Sequence, residues 1–106
     1  MPRPPPSPVS QEVGIELQRV VERWGQLPLD KAISRSVRVL ALVQSLADRV
    51  AEASGLPSSA VPDLGPAALM DQLTVMVHDA SATAVSFSVL TSRLAEDLAS
   101  LRRELA

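Results

Sequence analysis

Beyond Pro66 the apolar positions fall at 69, 73, 76, 80, 84, 87, 90, 94, 98, 101 and 105, and every step between them is three or four residues. Thirty-six residues over ten steps give the 3.6-residue period of an α-helix. One stretch inside that span pulls the other way. TVMVHDASATAVSFSVLTS, residues 74–92, is crowded with Val, Thr and Ser, and Val85-Ser86-Phe87-Ser88-Val89 alternates apolar with polar as a strand does. A hairpin there would have to turn at HDASA, which lacks the Gly, Asn and Pro that supply turn geometry. It would also have no reason to keep the helical phase. The β-branched residues each cost a helix roughly a few tenths of a kcal/mol relative to Ala, which packing can override. The pattern therefore predicts one helix over about 66–105.

Upstream, Val13, Leu17, Val20, Val21 and Trp24 stand at helical spacing and mark a helix over about 11–25. Ser10 is placed as its N-cap, Glu12 lies in its first turn and Gly25 is placed to end it. Pro28, in the link Gln26-Leu27-Pro28-Leu29, forbids a smooth continuation. Asp30 is then a cap for a second helix over about 31–54, with Gly55 at its other end. Its apolar positions, Ile33, Val37, Val39, Leu40, Leu42, Val43, Leu46, Ala47 and Val50, cover more than half the circumference. A helix lying on a surface needs a stripe of only about a hundred degrees, so this one is expected to touch partners on two sides. The loop 55–65 follows, and Gly65-Pro66 reads as N-cap and first helical residue, with Leu64 and Leu69 as a hydrophobic staple.

The fold class is all-α: an antiparallel helical hairpin or three-helix arrangement with one long C-terminal helix. At about 1.5 Å per residue the three helices measure roughly 22, 36 and 60 Å, so the second covers only the first half of the third. The C-terminal half, with Leu90, Leu94, Leu98, Leu101 and Leu105 on one stripe, still needs cover. Either the first helix extends along it or a second copy of the chain supplies the cover. A bare leucine stripe in water is an aggregation site, so a bundle completed by homodimerisation is expected. Residues 1–9, with Pro at 2, 4, 5, 6 and 8, read as a disordered extended tail before a single domain at 10–106.

Composition narrows the picture. Trp24 and Phe87 are the only aromatics, so the core is aliphatic, and there is no cysteine for disulfides, thiolate chemistry or Cys-type zinc sites. No apolar run approaches the roughly 18 residues of a membrane span, which fits a soluble, cytoplasmic protein. The net charge of −2 argues against a general nucleic-acid binder. It is unevenly spread: residues 1–50 carry +2 and residues 51–106 carry −4. Two oppositely biased halves packing on each other account for that.

Candidate chemistry is sparse. His78, the only histidine, is followed by Asp79 and lies one turn from Ser81, but adjacent side chains on a helix diverge by about 100°, so Asp79 is poorly placed to orient the ring. Asp71 lies two turns away, roughly 10 Å, too far to share a metal with His78. The glycines at 14, 25, 55 and 65 sit near helix ends and form no phosphate loop. The expectation is a non-enzyme with no catalytic, cofactor or metal site, and no motif carries a family resemblance. Its function is expected to be a helical adaptor or regulator acting through contacts with itself and with another protein. Trp24, Leu90, Leu94, Leu98 and Leu101 are the candidate contact residues. A second reading comes from Lys31, Arg35, Arg38 and Arg49, which share a face of the second helix as a basic ridge, with Arg19 and Arg23 adjoining from the first. Such a ridge could bind an anionic ligand or nucleic acid. No aromatic interleaves it for base stacking, which disfavours nucleic acid.

Overall fold

The computed structural model describes residues 9–83 and 88–106. The Pro-rich tail at 1–8, the central residues 84–87 of the ambiguous stretch, and the side chains of residues 88–91, Leu90 among them, lie outside what is described. Four helices pack together: α1 (Gln11–Gln26), α2 (Leu29–Ala53), α3 (Leu69–Thr83) and α4 (Ser88–Glu104). There is no strand among the described residues.

The helix ends follow local chemistry. Ser10 has extended backbone and its Oγ accepts the Val13 amide at 3.2 Å, capping α1. Gly25 does not end that helix, as the sequence had implied. The helix runs through it and stops where Leu27 turns extended (φ −75°, ψ 136°), the conformation that a following proline imposes. The next helix starts at once: Pro28 precedes α2 without a side-chain cap bond, and Asp30 lies inside the first turn rather than capping it. There its carboxylate favours the positive end of the helix dipole.

At the other end of α2, Gly55 takes φ +69° and donates to the Glu52 carbonyl at 3.1 Å, while Leu56 donates to Ala51 at 2.8 Å. This is the paired-bond Schellman termination. Gly65 (φ 87°) leads into a 3₁₀ turn, Pro66–Ala68, that opens into α3. Leu64 is exposed while Leu69 is buried in the core.

The largest departure concerns the C-terminal half. A single helix over 66–105 would be about 60 Å long at 1.5 Å per residue, and the longest principal dimension of the molecule is 44 Å. Two helices replace the expected rod. α3 packs chiefly on α2, and α4 chiefly on α1. Leu69, Leu73, Val77 and Ala80 meet the buried side of α2 at Val39, Leu42, Val43 and Leu46, and Leu94, Leu98, Leu101 and Leu105 meet Val13, Leu17 and Val20 of α1. The same 3.6-residue stripe thus serves two different neighbours. All these side chains belong to one contiguous core, with Trp24, Leu27, Leu40 and Val50 packed at its edge.

Candidate interaction surfaces

The leucines offered for association turn out to be spoken for. Leu94, Leu98 and Leu101 are buried within this chain by α1, and no second copy is needed to cover them. Trp24 is half-buried against the same core. Of the two sources of cover open to the stripe, the intramolecular one is realised. α1, at 16 residues, lies along α4 and supplies that cover.

The basic ridge is also partly consumed. Arg38 pairs with Glu104, and Arg49 with Asp97 at 2.9 Å, so two of its four cations are tied to the acidic half of the chain. Lys31 and Arg35 stand exposed without a charged partner among the described residues. The opposite bias of the two halves is thus expressed as ion pairs from α2 to α4. Arg102 of α4 bonding Glu16 of α1 at 3.2 Å runs against that trend.

His78 is exposed, and its Nδ1 lies 2.9 Å from the Thr74 carbonyl one turn back, so the ring donates to its own helix. Ser81 is buried with no hydrogen-bond partner for its Oγ among the described residues, and no bond joins it to His78. Among the described residues no three His, Cys, Asp or Glu side chains gather as a metal site would need. No described helix is long and apolar enough to cross a membrane.

Two surfaces remain. The first is apolar. Leu29, Ile33 and Val37 follow one another at four-residue intervals on α2 and are 70%, 56% and 79% exposed. At 100° per residue they form one stripe, turned well away from the face that carries Ala32, Val39, Leu42, Val43 and Leu46 into the core. The second-side apolarity of this helix, legible in its composition, is therefore real and uncovered. The other exposed aliphatics on helices, Ile15, Val21 and Val75, stand singly and need no explanation.

The second surface is basic. Arg19, Arg23 and Gln26 of α1 meet Arg102 and Arg103 of α4 around an open cleft of about 420 Å³, with Glu22 and Ala106 completing its wall. Arg102 and Arg103 lie in the last turn of α4, where cations favour the helix C-terminus, and nothing local in the sequence signals that α1 brings two more arginines beside them. No family model, curated protein or solved structure matches this chain.

Proposed function

We propose that this protein is a non-enzymatic helical interaction module whose docking face is the first half of α2, and that the face pairs with itself in a second copy. The observation that carries the reading is the bare stripe Leu29, Ile33, Val37 on a helix that turns Ala32, Val39, Leu42, Val43 and Leu46 into the core on another face. The stripe is centred on Ile33 with one aliphatic residue four positions to either side, so a two-fold antiparallel pairing sets Leu29 against Val37 of the copy and Ile33 against its equivalent. Isologous contacts of this kind are the commonest way soluble chains associate. Lys31 and Arg35 lie about 160° around the helix from the centre of the stripe and do not meet across such a seam.

The seam is short. Burying each of these side chains is worth about 1–2 kcal/mol at their observed exposures, and a stable specific interface covers about 800 Å² on each partner. The association proposed is accordingly weak, of micromolar to millimolar strength. Sedimentation velocity from about 10 µM to 1 mM should show reversible self-association. Ile33→Asp with Val37→Asp should abolish it while leaving the circular dichroism and melting temperature of the fold unchanged. Replacing Leu94 with Asp, by contrast, should unfold the chain outright. A wild type that stays monomeric throughout, or a doubly substituted protein that associates equally well, would remove the docking face from consideration.

A further inference from the structure

We propose that the cleft between α1 and α4 is a binding site for a compact, multiply charged phosphate compound, such as a condensed phosphate. This goes beyond the docking face on α2 and uses none of its residues. Four guanidinium groups from two helices converge on one cleft, in a chain whose net charge is −2. The carboxylates beside them are Glu22 on the wall and Glu16, which Arg19 and Arg102 share at 3.2 Å each. A terminal carboxylate after Ala106 would still leave one positive charge in excess. Such a concentration of like charge raises the local concentration of counter-anions.

The arginines are also held in place in a way that leaves donors over. Arg23 uses its Nε to donate to the Leu105 carbonyl at 3.1 Å, and Arg102 uses its Nε on Glu16. The two terminal nitrogens of each make no bond among the described residues, and neither does the Arg103 guanidinium. Guanidinium groups fixed at one edge and open at the other match the forked geometry by which arginine holds phosphate oxygens. Attraction of cations to helix C-termini explains why arginines lie in the last turns, but not why two helices aim theirs at a common space.

The cleft also limits what can occupy it. Its volume of about 420 Å³ falls at the small end of ligand sites. Its wall contains no aromatic ring and no large aliphatic side chain, so neither a nucleobase nor an apolar body finds a surface to stack on. Charge and donors are what it offers, and a short chain of phosphates is what uses both.

Titration calorimetry with inorganic pyrophosphate and tripolyphosphate, at ionic strength held constant with NaCl, tests the assignment. Saturable binding should be seen, weakening as salt rises, and Arg19→Ala with Arg103→Ala should weaken it at least tenfold without changing the melting temperature of the free protein. Lys31→Ala with Arg35→Ala should leave it intact. The assignment fails if neither phosphate binds above the ionic-strength control, if the Arg19/Arg103 substitutions leave affinity unchanged, or if the Lys31/Arg35 substitutions abolish it. Those results bear on the cleft alone, and self-association through α2 stands or falls separately.

Discussion

Two glycines, at positions 25 and 55, show how differently one residue type can be used. Gly55 sits at φ +69°, where an L side chain is strained even though nothing lies within 4 Å of the added Cβ. Gly25 lies in the last turn of α1 at an ordinary helical φ, also with open space around it. Gly55→Ala should therefore destabilise the fold by about 1–2 kcal/mol, the cost of a left-handed conformation. Gly25→Ala should stabilise it by about 0.5–1 kcal/mol, because alanine has less freedom to lose on folding. Urea unfolding of the two variants checks both signs at once. Equal effects would mean that the α2 terminus is not held as a Schellman motif. Gly55 was readable from its position after an apolar helix, and Gly25 misled for the same reason. What ends α1 is Pro28 acting on Leu27, a restriction that lies one residue further on.

At the scale of elements, helix existence was legible and helix continuity was not. A 3.6-residue stripe records that one side of the chain is covered, but not by what, so two helices whose buried positions keep a common phase look like one. The forty residues after Pro66 kept that phase while α3 turned to α2 and α4 to α1. The excess apolar surface of α2 was legible in the same terms, and its bare side at Leu29, Ile33 and Val37 is where the structure leaves it. The ion pairs Arg38–Glu104 and Arg49–Asp97 were not, because their partners lie 66 and 48 residues away. Nor was the role of Gln44. Its amide nitrogen donates to the Ser59 carbonyl at 3.0 Å and to Asp48 at 2.9 Å, and its oxygen accepts the Val61 amide at 2.7 Å. One side chain on α2 thus satisfies the backbone of a loop that has no secondary structure of its own. Gln44→Ala should cost about 0.5–1.5 kcal/mol, chiefly through the part-buried Val61 N–H, since water can reach the exposed Ser59 C=O. It should also make the bonds around residues 59–61 the first site of limited proteolysis. Unchanged protection there would show that the packing of Val61, not the amide, holds the loop.

For the molecule as a whole, the question is whether α1 with α4 and α2 with α3 form one cooperative unit or two. Each pair is closely packed within itself, and fewer contacts run between the pairs. The ion pairs that cross, Arg38–Glu104 and Arg49–Asp97, are each about a third to a half exposed. Pairs in that setting are worth at most about 1 kcal/mol, too little to couple two independent halves. The apolar cluster is another matter, since it runs without a break through residues of all four helices. If that continuity governs, removing packing from one pair must weaken the other. Leu98 is fully buried on α4, so Leu98→Ala should cost about 2–5 kcal/mol by lost burial and cavity formation. In a domain this size that is a large share of a total near 5–15 kcal/mol. The slowest-exchanging amides of α2, around Val43 and Leu46, should then lose protection by the same free energy as those of α1 around Leu17. Hydrogen exchange read residue by residue decides the matter. Faster exchange in α1 and α4 with α2 and α3 untouched would mean that the two pairs open separately. The α2 docking face would then rest on a helical hairpin able to stand without the rest of the chain.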